Sequence, residues 1–333
     1  MKNKYKLTVI IPTFNRQKYL EIILKKLVKI RNQFICFYIL DNHSKDETSK
    51  IIKKYKLIDP RVYSFRHKNN IGAAPNFRFG LYNAKTDFVV FASDDDTFNG
   101  DYFSKCLKIF EKYPDVGIIH HKFGNFKDKK IKKKYTIYDQ NINSISKCFR
   151  YSTILSGLAV NKNLINFDNY PKNKNKIYSY VSMIFQILKK HKFVEINNCG
   201  FSPVHAPDVN TTKMIEKNIL VQSRPIDFGI KELSNYIFKS KFNDFEKIEI
   251  FLKSHFFWIC NITEYYPKQK LKSFIKSMDV CFGKYILSYY FFILFKRFNF
   301  TIFKLLLIRL LNIKLWKYHL YNVIVLTMMI VKK

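Results

Sequence analysis

Hydrophobic and polar positions alternate between two patterns up to about residue 115. Short continuous apolar runs, typical of strands buried on both faces, are each followed by a segment with apolar residues at helical spacing. This alternation predicts an α/β fold with a mostly parallel sheet, right-handed crossovers and flanking helices. The predicted strands are 7–11, 34–40, 62–66 and 87–92, and the predicted helices are 19–30, 44–55, 74–84 and 102–113.

The second predicted helix begins with a capping box, in which Ser44 is followed three residues later by Glu47. Beyond residue 115 the pattern is mixed, with predicted strands at 116–119 and 156–160, a predicted helix at 178–190 and an exposed lysine-rich turn at 127–134. After about residue 226 the chain becomes helical, aromatic and basic. We therefore expect a domain over 1–225, divided into halves at residue 115, followed by a helical C-terminal region over 226–333.

The sequence of the C-terminal region indicates how the protein could contact a membrane. Its apolar runs, such as 285–295 and 323–331, are shorter than the roughly 20 residues that a spanning helix needs. Basic helices that carry Phe, Tyr and Trp316 favour attachment at a membrane interface, while the other interpretation is that these helices pack on each other. The apolar run 7–11 stops at Pro12, so no signal peptide is predicted. We expect a cytoplasmic protein held peripherally on the inner face of the cell membrane.

The composition gives the chain a high positive charge and argues against two kinds of cysteine site. Lys and Arg total 59 against 25 acidic residues, a formal charge of +34, which predicts a polyanionic neighbour such as nucleic acid, an anionic membrane or phosphorylated substrates. An AT-rich genome would produce the same bias without selection for binding. No RNA-binding motif is present, so specific nucleic-acid binding is not expected. The six cysteines form no C-x-x-C pair, which argues against a zinc site or a disulfide framework.

Polar segments follow four of the predicted strands, at 13–16, 41–44, 69–72 and 94–96. Parallel α/β sheets bind ligands beyond the carboxyl ends of their strands, so these segments are expected to form one site. The run Asp94-Asp95-Asp96 places adjacent carboxylates there, and such carboxylates repel each other unless a cation or hydrogen bonds compensate. Mg²⁺ or Mn²⁺, held by carboxylates and substrate phosphates, is the usual solution. The other interpretation is a solvated acidic turn that caps the helix at Tyr102.

Four motifs occur in order: T-V-I-I-P-T-F-N-R, I-L-D-N-H-S-K-D-E-T, N-N-I-G-A-A-P-N and F-A-S-D-D-D. In this series the chain resembles the family-two, inverting glycosyltransferases of GT-A fold, specifically over about 5–115 and loosely over 116–225. The resemblance implies metal-assisted transfer of a sugar from a nucleotide-diphosphate donor to a glycan or lipid-linked acceptor. With the basic C-terminal helices, it suggests synthesis of a bacterial surface polysaccharide, either lipopolysaccharide, lipooligosaccharide or capsule.

The resemblance also implies roles for individual residues at the strand ends. The metal-binding pair would be Asp94 and Asp96, although the commoner family form has Asp at the position of Ser93. Ser44, Asp46 and Thr48 match family positions or only cap a helix. The implied donor-binding residues are Pro12, Thr13 and Asn15 in the nucleotide pocket, Asp41 toward the base, Asn70, Gly72 and Asn76 toward the ribose and diphosphate, and Asp94 and Asp95.

Inverting transfer needs a general base near the acceptor hydroxyl. Many members of the family supply it from a Glu-Asp pair at the start of a helix, and no such pair occurs in this chain. The candidates are His205 and Asp208, in the segment S-P-V-H-A-P-D, together with Asp168 and Glu195. The missing pair motivates a competing hypothesis of an inactive membrane-associated scaffold, and the high charge motivates that of a basic nucleic-acid-binding protein.

Overall fold

The computed structural model describes residues 4–98, 101–122, 134–151, 155–170, 180–197, 201–203, 235–237, 239–243, 246–247 and 250. These residues fall into two compact units. One holds the described residues up to 203 together with those from 240 to 250, and the other holds 235–237 and 239. The predicted C-terminal helices, and with them the boundary at residue 225, lie almost wholly outside the described residues and remain predictions.

The first unit contains ten strands and six α-helices among the described residues. The strands are β1 (Leu7–Thr13), β2 (Ile35–Asp41), β3 (Val62–Arg66), β4 (Phe88–Phe91), β5 (Asp96–Phe98), β6 (Val116–His121), β7 (Tyr135–Tyr138), β8 (Ala159–Asn161), β9 (Lys192–Ile196) and β10 (Phe201–Pro203). The helices are α1 (Gln17–Leu27), α2 (Thr48–Ile58), α3 (Ala73–Asn83), α4 (Asp101–Lys112), α5 (Ile142–Tyr151) and α6 (Val181–Leu188).

Eight strands form one sheet in the order β3-β2-β1-β4-β8-β6-β9-β7, and β5 and β10 form a separate antiparallel pair. The block β3-β2-β1-β4 is parallel throughout, whereas β8 runs antiparallel to both of its neighbours. The chain builds outward from β1 to β3 and then returns to β4 on the other side of β1. This reversal of strand order opens a crevice between the carboxyl ends of β1 and β4, which is where sheets of this kind bind ligands.

Apolar side chains on both faces of the parallel block explain its position inside the molecule. Leu7, Val9 and Ile11 of β1 join the buried core that α1, α2 and α4 cover. The opposite face receives α3, which approaches closely because Gly80 has no side chain. A Cβ atom at Gly80 would lie 2.3 Å from Leu40 Cδ1. The parallel strands are therefore buried on both faces, as their continuous apolar runs predict.

The structure confirms the predicted α/β fold and most of the elements before residue 120, with shifts of up to four residues at their ends. The capping box is wrong. The helix begins at Thr48, whose N–H donates to Asp46 Oδ1 at 3.2 Å, and the Ser44 hydroxyl accepts a hydrogen bond from Asn15 N instead of capping the helix. In the second half, β6 is longer than the predicted strand at 116–119, while β8 and α6 are shorter than the predicted strand at 156–160 and helix at 178–190. The elements β7, β9 and α5 were not predicted. No helix in the described part of the chain is long and apolar enough to span a bilayer.

Candidate active site

The acidic run lies at the crevice between β1 and β4, and one arginine joins two of its members. Arg16 immediately precedes α1, and its Nη1 lies 3.0 Å from Asp94 Oδ1 and 2.6 Å from Asp95 Oδ2. The Ser93 hydroxyl donates a hydrogen bond to the other oxygen of Asp95. Asp96 is the first residue of β5. Asp94 and Asp95 are thus the two carboxylates that converge on one cationic atom.

Asp94 is an unusual carboxyl because it is almost completely buried. Its side chain is 4% exposed, and burial raises its pKa to about 6. The charge of Asp95 adds to the rise, whereas the Arg16 guanidinium and the nearby Thr13 hydroxyl oppose it. Asp94 Oδ2 and Thr13 Oγ1 are both buried near each other, and neither makes a hydrogen bond of ordinary length among the described residues. A buried carboxylate oxygen with so few contacts leaves a position for a ligand or ion, since burial without hydrogen bonds costs free energy.

The loops that follow β1 and β2 are held together by side-chain and backbone hydrogen bonds. Asn15 N donates to Ser44 Oγ, and Asn15 Oδ1 accepts from Lys45 N at 2.7 Å. Gln17 N donates to Asp46 at 3.0 Å. Burial works to raise the pKa of Asp46, but hydrogen bonds from Thr48 and Gln17 outweigh it and lower the pKa. Asn15 has a φ of 53°, a left-handed conformation that Asn tolerates better than most residues.

Asp41 ends β2 and is already bonded on both of its oxygens. Oδ1 accepts from Ser44 N at 2.8 Å, while Oδ2 accepts from Arg66 Nη1 at 2.7 Å and from Ser49 Oγ at 3.4 Å. Asp41 is 1% exposed, and these three hydrogen bonds take up most of the roughly four lone-pair directions of its carboxylate. Arg66 also donates to the Ser44 carbonyl, which fixes the loop after β2 to the end of β3.

The loop after β3 is tied to the loop after β2 through two asparagines. Asn42 Nδ2 donates to Asn70 Oδ1 at 2.9 Å, and Asn70 Oδ1 also accepts from Gly72 N. Gly72 has a φ of 88°, which favours glycine, and immediately precedes α3. Asn76 is 2% exposed, and its amide donates to the Leu40 carbonyl and faces His67 Nε2 at 3.0 Å. Asn76 therefore supports the backbone at the end of β2, and its expected contact with ribose and diphosphate stays a prediction.

A buried histidine of the second half lies next to the acidic run. His121, at the end of β6, is fully buried, and its Nε2 is 3.3 Å from the Ser156 carbonyl. The Ser156 hydroxyl accepts a hydrogen bond from Ser93 N at 2.9 Å. Burial, with a smaller contribution from His120, lowers the pKa of His121 to about 3. His121 is therefore neutral at physiological pH and supports the backbone of the acidic run through Ser156.

The candidate bases are spread widely. Glu195 lies inside the sheet on β9, 3% exposed and 3.4 Å from Lys147 Nζ, whereas Asp168 is exposed in a short 3₁₀ turn over Phe167–Asn169. His205 and Asp208 lie outside the described residues, so their role stays a prediction. The described residues contain no group of three or more His, Cys, Asp or Glu that could hold a metal ion. A cation at Asp94 and Asp95 would thus need further ligands from a substrate.

Two arginines prove central to the geometry of the site: Arg16, which belongs to an expected polar segment but was given no role, and Arg66, which was not assigned to the site. In a chain with 59 basic residues, a single positive charge near a strand end carries little information. One usable signal exists, because arginine is rare in this lysine-rich chain, and Arg66 ends β3 while Arg16 lies in the loop after β1. Arginine is the residue suited to carboxylates and phosphates in a partly buried site.

Comparison with known proteins agrees with this geometry. The model of glycosyl transferase family 2 matches residues 8–190. A β-1,3-glucosyltransferase of Campylobacter jejuni, named for the acceptor GalNAc(5)-diNAcBac-PP-undecaprenol, is 32% identical over 121 residues, which are 36% of this chain and 38% of that protein. The match therefore spans well under half of that relative's length.

Two solved structures share the fold at low sequence identity. S. aureus TarS 1–349 with UDP-GlcNAc has a TM-score of 0.60 at 14% identity and covers 86% of this chain and 87% of its own. The mannosyltransferase PcManGT of Pyrobaculum calidifontis, solved with GDP-Man and Mn²⁺, has a TM-score of 0.53 at 12% identity and covers 84% and 81%. With a family match over more than half of its length, the chain belongs to glycosyl transferase family 2 and is a glycosyltransferase of GT-A fold.

Proposed function

We propose that this glycosyltransferase takes its sugar from a nucleoside-diphosphate donor bound with a divalent cation at Asp94 and Asp95. The carrying observation is that both carboxylates converge on a single atom, Arg16 Nη1, at the crevice between β1 and β4. A positive charge at that point offsets the repulsion between them. The nearby oxygen Asp94 Oδ2, buried and without a hydrogen bond of ordinary length among the described residues, supports a ligand at the same place.

The residues fit Mg²⁺ or Mn²⁺. Both ions prefer oxygen ligands and bind through one or two carboxylates together with substrate phosphates. When bound, the ion would stabilise the negative charge that develops on the departing diphosphate. This proposal revises the pair expected from the sequence, because Asp95 shares the cationic atom with Asp94, while Asp96 opens β5. The Mn²⁺ present in the PcManGT structure supports a divalent ion.

The donor would lie across the loops that the hydrogen-bond network holds in place. Thr13 ends β1 beside Asp94, and Asp41, which ends β2, would contact the base. Gly72 precedes the N-terminus of α3, where free backbone N–H groups and the helix dipole favour phosphate. Pro12, Asn15 and Asn70 would form or support the walls of the same pocket, since all belong to these strand ends.

The acceptor we propose is a glycan or a lipid-linked glycan of the bacterial surface, as in lipopolysaccharide, lipooligosaccharide or capsule synthesis. Two points support it: the undecaprenol-linked acceptor in the name of the Campylobacter relative, and the basic, aromatic sequence after residue 226. The enzyme would then act peripherally on the inner face of the membrane. Inversion at the sugar follows from family resemblance alone, and His205 or Asp208 as base follows only from their residue types and their place in the segment S-P-V-H-A-P-D.

The test measures the unfolding temperature of the full chain with UDP, GDP, CDP or dTDP, each with and without Mn²⁺. One nucleotide with Mn²⁺ should raise that temperature by about 5 °C or more at saturation. Asp94→Asn and Asp95→Asn should abolish the Mn²⁺-dependent part, whereas the matched control Asp96→Asn should retain it. If Asp95→Asn kept the Mn²⁺-dependent rise and Asp96→Asn lost it, the metal-binding pair would be Asp94 and Asp96, as the sequence predicts.

No rise with any of the four nucleotides, in the presence of Mn²⁺, would count against a nucleotide-sugar donor altogether. The scaffold hypothesis makes a different prediction, namely nucleotide binding without sugar transfer or donor hydrolysis in a mass-spectrometric donor panel. Salt-sensitive, nanomolar binding of nucleic acid at physiological salt would instead favour the hypothesis of a basic nucleic-acid-binding protein.

A further inference from the structure

One arginine nitrogen, rather than two, holds the acidic pair. Arg16 Nη1 donates to Asp94 Oδ1 at 3.0 Å and to Asp95 Oδ2 at 2.6 Å. A guanidinium more often binds a single carboxylate through two parallel N–H bonds. Arg16 Nη1 therefore occupies a position from which a single cation contacts both carboxylates. A divalent ion that binds the same two oxygens has to occupy the same space.

The carboxylates and the arginine differ in how firmly they are held. Asp94 is 4% exposed, and Asp95, although 28% exposed, is held by the Ser93 hydroxyl. The backbone N–H of Ser93 in turn donates to the Ser156 hydroxyl. The side chain of Arg16, in contrast, is 37% exposed. Long side chains with an exposed charged end change rotamer within nanoseconds. Arg16 can thus turn away while the carboxylates keep their positions.

We propose that Arg16 is the internal counter-cation of the acidic pair, and that a divalent ion binds when Arg16 turns away from Asp95. The inference rests on the proposed function, because the ion in question is the cation of the donor site. Two positive charges cannot share one point between two carboxylates without strong repulsion. Occupancy by Arg16 therefore lowers the apparent affinity for the ion, and the ion lowers the occupancy by Arg16 to the same extent.

The released guanidinium has a second partner within the same crevice. Arg16 lies in the loop after β1, the strand next to β4, so it stays near the carboxyl ends where the diphosphate of a donor would bind. An arginine stays protonated at all working pH values and binds phosphate oxygens through its planar fork. Arg16 would then exchange the acidic pair for the diphosphate when the ion enters. Its removal should have opposite effects on the two ligands.

The experiment titrates the full-length protein by calorimetry, first with Mn²⁺ alone and then with the nucleoside diphosphate that stabilises it most, at saturating Mn²⁺. We expect Arg16→Gln to bind Mn²⁺ about tenfold more tightly and the nucleotide about tenfold more weakly than wild type. Arg16→Lys keeps the charge without the fork, so its Mn²⁺ affinity should stay near that of wild type. The matched control is Arg31→Gln, which removes an exposed arginine before the first residue of β2, at the opposite end of the strand from Asp41, and should leave Mn²⁺ affinity unchanged.

The outcomes separate this inference from the proposed function. Equal or weaker Mn²⁺ binding by Arg16→Gln, in a variant that unfolds at the wild-type temperature, overturns the inference alone. Loss of affinity for both ligands indicates a structural role and also overturns it. If Arg16→Gln does not fold, Arg16→Lys carries the test, because nucleotide binding as tight as in wild type would contradict the role of the fork. Failure of wild type to bind either ligand overturns the proposed site and the inference together.

Discussion

The two halves of the main sheet differ in where their polar side chains lie and in what those side chains contact. In the parallel half, from β1 to β4, polar side chains collect at the strand ends and bind each other across three loops, as Asn15 does with Ser44 and Asn42 with Asn70. In the second half, from β6 to β9, the polar side chains His121 and Glu195 lie inside the fold and are almost fully buried.

This difference shows where the described residues can do chemistry. Asn15 and Asn70 lie in loops beyond the strand ends and keep exposed surface for a ligand, while hydrogen bonds hold their positions. Glu195, near the end of β9, is 3% exposed and lies 3.4 Å from Lys147 Nζ, so its surface is closed to an acceptor. Its residue type allowed the role of base on sequence alone, but its burial argues against that role.

The largest effect on stability that we predict concerns a buried ion pair in the parallel half. Arg61 is 4% exposed, pairs with Asp59 at 2.7 Å and donates to the carbonyls of Val28, Ile30 and Asn32. Arg61→Met should lower the free energy of unfolding by about 3–5 kcal/mol, because Asp59 is left as a buried, unpaired charge. Urea denaturation measures the change.

The control for that variant is Lys54→Met, which removes the exposed ion pair with Glu21. Its expected cost is below about 1 kcal/mol, since exposed ion pairs contribute little. Equal losses in the free energy of unfolding for the two variants would contradict the view that buried ion pairs and hydrogen bonds stabilise the parallel half.

The second prediction addresses the buried histidine of the other half. Because the pKa of His121 is lowered to about 3, below its ordinary value near 6.5, the stability that neutral His121 contributes is complete above pH 6.5 and is lost as the pH falls toward 3. The loss is about 1.4 kcal/mol per pH unit, or about 2–3 kcal/mol at pH 4.5. His121→Gln cannot titrate and should show a correspondingly flatter dependence.

The measurement compares urea denaturation at pH 7.5 and pH 4.5 for both proteins. Other groups titrate over this range in both, so the difference between the two dependences isolates His121. If wild type and His121→Gln lose the same stability between the two pH values, His121 is not held neutral by its burial.

The smallest effect compares one glycine from each half. A Cβ atom at Gly117 of β6 would lie 2.2 Å from Ile187 Cγ2 and 2.9 Å from His191 Cβ, while one at Gly80 would meet Leu40 Cδ1 at 2.3 Å. Both alanine variants overpack the core, at an expected cost of about 1–3 kcal/mol each. Gly117→Ala should cost more, because His191 Cβ adjoins the backbone, whereas the end of Leu40 can rotate.

Thermal or urea unfolding of the two variants side by side provides the check. A larger cost for Gly80→Ala would mean that the α3 contact with the parallel strands is the less adaptable of the two, and would reverse this part of the comparison.

Sequence and structure agree best where the pattern is local. The strands and helices before residue 120 follow from continuous apolar runs and helical spacing, and the site was expected at the strand ends because polar segments follow each parallel strand. The capping box failed because Ser44 found a partner, Asn15, that is 29 residues away. The strands β7 and β9 are only four and five residues long and were not predicted, and the helical spacing of Ile142, Ile145 and Phe149 in α5 was missed.

The sequence by itself determined the α/β fold, the edge of the sheet that carries the polar residues and the presence of an acidic run there. These are properties of short segments, whose period and turn residues act before any long-range contact forms. Only the tertiary structure decided that Asp95 joins Asp94, that Arg16 lies between them from 78 residues away, and that Asn76 and Glu195 are buried. Which side chains meet depends on strand order and side-chain direction, and neither can be read from spacing along the chain.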